Sequence, residues 1–150
     1  MSDEQQTSLV FLQYLTNVFD SITDGVLLID VIKSDTFKLA MANKTFYDFS
    51  GYSRDSLGKN VADIVPPASY SFLVRQYKKV VRTKKPLQYL RWSEVPIGQR
   101  AYDVRMVPVF NTTGDCVQIV CIVHDATEME QLREEVERLR GTVRGIRSSV

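Results

Sequence analysis

Two β-branched runs, at residues 26–32 and 37–41, stand together near the front of the chain, and three more β-rich runs, at 87–95, 100–110 and 116–124, stand together at the back. Between them, residues 43–86 are cut into short pieces by Asn43, Gly51, Gly58 and Pro86. That grouping constrains the fold more than any other feature. Strands that follow one another without intervening helices pair as hairpins, so the class is α+β with an antiparallel sheet. Asp24-Gly25 opens the first strand, residues 33–36 turn the chain, and Phe37, Leu39 and Met41 alternate with Lys38, Ala40 and Ala42. Pro96-Ile97-Gly98 and residues 111–115 are the turns of the later hairpins. The long strand carries Tyr102, Val104 and Met106 on one face and Asp103 and Arg105 on the other. Cys116 and Cys121 sit an odd number of residues apart on one strand, so alternation puts them on opposite faces, unable to bridge. Unpaired cysteines fit a reducing, cytoplasmic compartment.

Helical periodicity accounts for most of the remainder. Residues 1–7 are polar and read as a disordered N-terminus. Residues 8–22 form an amphipathic helix, with Ser8 as its N-cap and Phe11, Leu12, Leu15, Val18, Phe19 and Ile22 on one face. That face suits either the chain's own core or a dimer contact. Asn43 caps a short helix that Gly51 ends, Ser53 caps another turn that Gly58 stops, and residues 68–82 make a longer helix with Leu73, Tyr77, Val80 and Val81 on one side.

The last helix, residues 126–150, follows a stricter pattern. Met129, Leu132, Val136, Leu139, Val143 and Ile146 recur at spacings of 3 and 4, which are heptad a and d positions. With a at Met129, Glu128 and Glu135 fall at g and Arg133 and Arg140 at e. In a parallel pair, Glu128 of one chain then meets Arg133 of the other, and Glu135 meets Arg140. Val at a with Leu at d favours two strands. The expectation is a parallel homodimer, set against a single helix folded on its own sheet. Gly141 and Gly145 lie outside the seam, each costing about 1 kcal/mol of helix propensity, so fraying is expected after about Arg140.

Asn43, Phe46, Phe49, Gly51-Tyr52-Ser53, Leu57 and Gly58-Lys59-Asn60, followed much later by Asp125-Ala126-Thr127 directly after the last strand, resemble the PAS domain family across roughly residues 12–127. Trp92 and the turn through Pro96 and Gly98 fit the same pattern. The resemblance implies a five-stranded antiparallel sheet with helices on one face, a PAS core over residues 23–125 and a coiled-coil linker helix after it. It implies a sensory or dimerisation module that relays a signal to an output domain, as in bacterial sensor histidine kinases of two-component systems. It also gives Asp125 and Thr127, with His124 and Trp92, the part of a signal relay, with an Asp125 contact to a basic or Trp side chain nearby. The rival reading is a constitutive dimerisation scaffold without ligand.

Several chemistries lack their residues. In blue-light members of the family a cysteine adds to flavin within Gly-x-Asn-Cys; the matching stretch here is Gly58-Lys59-Asn60-Val61, and valine has no thiol. A non-covalent flavin or a haem is a lesser alternative, but residues 68–82 hold no histidine to ligate iron, and His124 is the one histidine of the chain. One histidine and two divergent cysteines do not make a zinc site. No phosphate loop or nucleophile elbow appears, so no enzyme is expected. Net charge is +1, which points away from nucleic acid, and the basic stretch at residues 140–147 reads as a solvated tail. No apolar run is long enough to cross a membrane. A small apolar ligand, or a core filled by side chains, would occupy the space walled by Phe46, Ile64, Phe72, Tyr77, Tyr89, Tyr102, Val104 and Met106.

Overall fold

The structure, a computed structural model, describes residues 2–33 and 35–148, with side chains through residue 145. The elements run α1 (Asp3–Ser21), β1 (Gly25–Lys33), β2 (Thr36–Ala42), α2 (Lys44–Ser50), a 3₁₀ turn (Arg54–Ser56), α3 (Val61–Ile64), α4 (Pro67–Thr83), β3 (Leu87–Val95), β4 (Gly98–Phe110), β5 (Cys116–Asp125) and α5 (Thr127–Ser148). The five strands form one sheet in the order β2-β1-β5-β4-β3, every pair antiparallel. The first and last strands in sequence meet in the middle, so the two hairpin groups close into one sheet.

One face of that sheet carries the core. Phe37, Ile29, Met106 and Ile119 are almost wholly buried on it, and α4 lays Tyr77 and Val80 across them. Burial of each such side chain contributes about 1.5–3 kcal/mol. The Phe37 and Tyr77 rings lie 4.9 Å apart and tilted, a favoured geometry for aromatic pairs. The free edge of β2 is covered by the loop after the 3₁₀ turn: Leu39 N donates to Lys59 O at 3.0 Å and Gly58 N donates to Leu39 O at 2.7 Å. An edge covered this way offers fewer free backbone groups to another chain.

Asn43 joins three elements. It is fully buried. Its Oδ1 accepts from Val26 N at 2.9 Å and Phe46 N at 3.2 Å. Its Nδ2 donates to Phe19 O at 3.1 Å and Asp24 O at 3.0 Å. Asn43 is therefore the helix cap expected for α2, and it also ties the end of α1 to the start of β1. At the other end of α2, Gly51 has φ 80°, and Ser50 O accepts from Ile97 N at 3.1 Å. A Cβ on Gly51 would sit 2.9 Å from that Ile97 nitrogen, so the position demands glycine for space as well as for φ.

Four expectations need correction. The described part of the segment expected to be disordered is helical: α1 starts at Asp3, because Ser2 and Gln5 form a reciprocal capping box, with Gln5 N donating to Ser2 Oγ and Ser2 N donating to Gln5 Oε1. Ser8 is therefore inside the helix. Along its length α1 buries no residue in the single chain, so its apolar face does not pack on the chain's own core. Cys116 and Cys121 are both buried in the core, as free thiols. The pairing steps from Val109–Gln118 to Phe110–Cys116, leaving Val117 as a bulge that reverses the parity of the strand. Finally, α5 does not fray after Arg140 but runs through Gly141 and Gly145 to Ser148, with Glu135–Arg138 and Glu137–Arg140 ion pairs just ahead of the glycines.

Asn43→Ala would strand four backbone groups at once, each costing about 1 kcal/mol or more when buried and unpaired. We expect a loss of about 3 kcal/mol or more in urea unfolding, and Asn43→Asp, which keeps the acceptors but aims a carboxylate at two carbonyls, should not rescue it.

Candidate functional site

Between the core face of the sheet and the helices lies a partly open cavity of about 120 Å³. The eight side chains read from the sequence as a pocket, Phe46, Ile64, Phe72, Tyr77, Tyr89, Tyr102, Val104 and Met106, all lie on its wall. The fold brings them there from five elements: α2 supplies Phe46, α3 Ile64, α4 Phe72 and Tyr77, β3 Tyr89, and β4 the other three. Aromatic contacts brace the wall. Tyr102 stacks on Phe49 at 5.2 Å, Phe46 stacks on Tyr52 at 5.9 Å, and Phe72 meets the face of Tyr89 edge-on at 4.9 Å.

The wall also includes Tyr52, Arg91, Ser93 and Cys121, which the sequence reading did not single out. The signal for two of them was available. Residues 89, 91 and 93 share one face of β3, so placing Tyr89 inward places Arg91 and Ser93 inward as well. The Arg91 guanidinium sits 3.8 Å from the Phe72 ring centroid, a cation–π contact that keeps the charge at the cavity wall.

Burial governs the titratable groups here. Desolvation raises the Tyr77 hydroxyl well above its ordinary range, with smaller contributions from Cys121 and neighbouring tyrosines. Desolvation also raises Tyr89, opposed by Arg91, and raises Tyr102, where Asp125 adds to the shift. Burial pushes the Cys121 thiol up to about 12. A thiol held neutral this firmly is a poor nucleophile.

Behind the cavity, on the opposite side of β4, α5 is fastened. Tyr102 faces inward, donating its hydroxyl to Phe49 O at 3.4 Å. The adjacent residue, Ala101, gives both its backbone groups to the start of α5: its N–H donates to Thr127 Oγ1 at 3.0 Å, and its carbonyl accepts from Ala126 N at 2.8 Å. Thr127 N donates to Asp125 Oδ1 at 3.0 Å, and Thr127 Oγ1 is close to the same carboxylate. Asp125 therefore caps α5 through Thr127, and among the described residues it forms no hydrogen bond to Trp92 and no ion pair with a basic side chain. Trp92 instead donates its indole N–H to Glu134 Oε1 at 3.0 Å, two turns along α5. Glu134 is a partner that the heptad pattern does not single out, because it falls at f. His124 stands apart, exposed on the sheet's outer side, with Nδ1 2.8 Å from Asp24 Oδ1 ahead of β1.

The heptad seam faces away from this fastening. Met129, Leu132, Val136, Leu139 and Val143 are all exposed, at 45% or more; the Ile146 side chain lies outside the described residues. The charged flanks pair along the helix in the single chain: Arg133 with Glu130, Glu135 with Arg138, and Arg140 with Glu137. Glu128 is exposed in the first turn. Among the described residues no group of three His, Cys, Asp or Glu side chains could hold a metal ion, and no helix is long and apolar enough to cross a membrane.

Known proteins share this arrangement. A family model described as the PAS fold matches residues 19–131. No curated protein matches the chain in sequence. Among solved structures, an RNA-binding light-oxygen-voltage receptor is 19% identical with a TM-score of 0.67, over 92% of this chain and 39% of that one, so the chain spans well under half of that receptor. A PAS domain from Colwellia psychrerythraea is 18% identical with a TM-score of 0.63, over 79% of this chain and 98% of that one. The PAS domain of Bordetella pertussis BvgS is 19% identical with a TM-score of 0.61, over 88% of this chain and 98% of that one. At these identities the likeness is one of fold.

The Cys121 thiol predicts a pH dependence. Unfolded, it ionises near its ordinary value of 9.0; folded, it holds its proton to about 12. Above pH 9 the unfolded chain gives up the proton first, so stability present below that pH is lost as pH rises toward 12. Urea unfolding should be flat from about pH 7 to 8.5 and weaken above 9, and Cys121→Ser should lose the earliest part of that slope.

Proposed function

The chain belongs to the PAS-fold family, and on that premise we propose that it is a dimeric sensory module that takes a small ligand in its cavity and relays occupancy through a parallel coiled coil to an output unit such as a histidine kinase. One observation carries the reading. The protein holds α5 by its f position, through Trp92 and Glu134, and by its first turn, through Ala101 and Thr127. On a helix, f lies almost diametrically opposite the line between a and d. A helix fastened by its back leaves its apolar seam free for a second copy, and this favours a dimer over a helix folded on its own sheet. The exposed apolar side chains of α1, among them Phe11, Leu12, Leu15 and Val18, add a second surface of the same kind.

The relay follows from strand geometry. Tyr102 belongs to the cavity wall and Ala101 to the α5 joint, and they are neighbours on one strand. A ligand that displaces Tyr102 displaces Ala101 with it, because a strand transmits a shift or twist between its faces. Asp125 and Thr127 then pass that movement to the first turn of α5. Histidine-kinase proteins occur among the structural neighbours, including a sensory box histidine kinase/response regulator from Burkholderia thailandensis, which supports that class of output. The two unpaired thiols support a cytoplasmic setting. The cavity suits neither haem nor flavin adduct chemistry: Val61 offers no sulfur, α4 offers no histidine, and a cavity of about 150 Å³ holds one benzene ring, not three fused ones. No turnover is proposed.

Sedimentation at micromolar concentration should give a dimer, and Val136→Cys should form an interchain disulfide on mild oxidation, since a parallel in-register pair sets a opposite a. Leu132→Glu should return the chain to a monomer that remains folded. A lone 17.2 kDa species for the native chain would overturn the reading. Thr127→Val keeps the shape but removes the hydroxyl that Ala101 uses; we expect a loss of about 1–3 kcal/mol and a looser α5, seen as faster amide exchange in its first turn.

A further inference from the structure

Resting on the reading of the cavity as a ligand seat, we propose that its ligand is a small amphipathic carboxylate, with an apolar body of single-ring or short-chain size inside and its carboxylate on Arg91. Three observations converge. The floor is apolar, built from Ile29, Leu39, Val104, Met106 and Val123, so the buried end of the ligand carries no charge. At about 120 Å³ and partly open, it is close to the roughly 150 Å³ cavity that takes a benzene, which limits the apolar body to a single ring or a short chain.

Arg91 is the second. It sits on the inward face of β3 with Tyr89 and Ser93, its guanidinium laid over Phe72, and among the described residues no carboxylate forms an ion pair with it. Stacking engages the flat face of a guanidinium and leaves its N–H edges free, and those edges match a carboxylate with two parallel hydrogen bonds. The other charged residue on the wall, Glu94, follows Ser93 on β3, so alternation turns its side chain to the opposite face, and it is exposed. Phe72 and Tyr89, themselves edge to face, hold the stacked arginine in place. Tyr52, Tyr89 and Ser93 bring hydroxyls to the same wall, and none of the three makes a side-chain hydrogen bond to protein among the described residues. They are donors available to the second carboxylate oxygen.

The third is the distribution of charge. From residue 64 to residue 93 the sequence has no acidic residue and seven cations, although the whole chain carries only +1. Arg75, Lys78, Lys79 and Arg82 form a stripe on the exposed side of α4, the helix that supplies Phe72 and Tyr77 to the wall, and none of them forms an ion pair among the described residues. The outer side of the helix that covers the cavity therefore carries uncompensated positive charge, which raises the local concentration of anions. The start of α4 is not itself the anion site, because its cap and first residue are Pro66 and Pro67, which have no N–H to offer.

Calorimetric titration of the full chain with matched pairs tests this: benzoate against benzyl alcohol, hexanoate against 1-hexanol, and benzylamine as the cation. The carboxylate of each pair should bind about tenfold more tightly than its alcohol, and benzylamine most weakly. Arg91→Met keeps an unbranched side chain over Phe72 and should remove the carboxylate's advantage while leaving the alcohols unchanged; Arg91→Lys should keep part of it. Alcohols binding as well as carboxylates in the native chain, or a carboxylate advantage that survives Arg91→Met in a variant folded by circular dichroism, would overturn the ligand class and leave the ligand seat standing. Binding of none of the probes would overturn both.

Discussion

The fold depends on the hydrogen bonds of one buried amide. Asn43 satisfies four backbone groups drawn from the end of α1, the start of β1 and the start of α2. Each of those groups would otherwise be an unpaired donor or acceptor at a chain break, where no ladder or helix supplies a partner. Only an amide, with two donors on one arm and a two-lone-pair acceptor on the other, can serve all four from one position. With that node in place, β1 lies in the sheet beside β5, α2 points Phe46 and Phe49 at the core, and α1 leaves the body at its last turn only. Lys44 N and Thr45 Oγ1, donating to Asp20 and Ile22, reinforce the same junction.

That junction and the α5 joint stand at two ends of one mechanical unit. The cavity lies between the sheet and α2 to α4, so anything that fills it pushes against β4 through Tyr102, Val104 and Met106. The opposite face of the same strand holds the linker. Thr127 is buried and satisfied only by Ala101 and Asp125, so it cannot move independently of β4. Trp92 adds a second tie two turns further along the helix. The two ties are chemically unlike: the first is buried and backbone-based, the second is an exposed side-chain hydrogen bond to a carboxylate. An exposed bond of this kind contributes little stability and breaks easily, whereas a buried one costs the full desolvation of its groups when broken. The first turn is therefore the stronger of the two ties.

Charge is segregated in a way that net charge hides. A chain with a balance of +1 places seven of its nineteen cations between residues 64 and 93, with no acid among them. Three acids of α5, Glu130, Glu135 and Glu137, pair within the helix in the single chain. The Glu135–Arg138 and Glu137–Arg140 pairs are exposed on both sides, and pairs of that kind contribute little stability.

What the sequence determined by itself was whatever depends on local chemistry and period: the α+β class, the strand runs, the caps at Asn43 and Ser53, the stop at Gly51, the inward set Tyr102, Val104 and Met106, and the apolar stripe along α5. These follow from backbone preferences and alternation, which act within a few residues. It misjudged places where one residue changes the count or where a cap lies outside the periodic run. Val117 reversed the parity of the last strand and moved Cys116 to the core, and Ser2 with Gln5 began a helix inside a stretch that looks merely polar. Tertiary structure alone decided that Asn43 serves three elements, that Glu134 and not Asp125 meets Trp92, and that Arg91 is laid over Phe72 on the wall of the cavity. Those contacts join residues far apart in the chain, and their partners are chosen by how the sheet twists and how the helices settle on it, which no local pattern encodes.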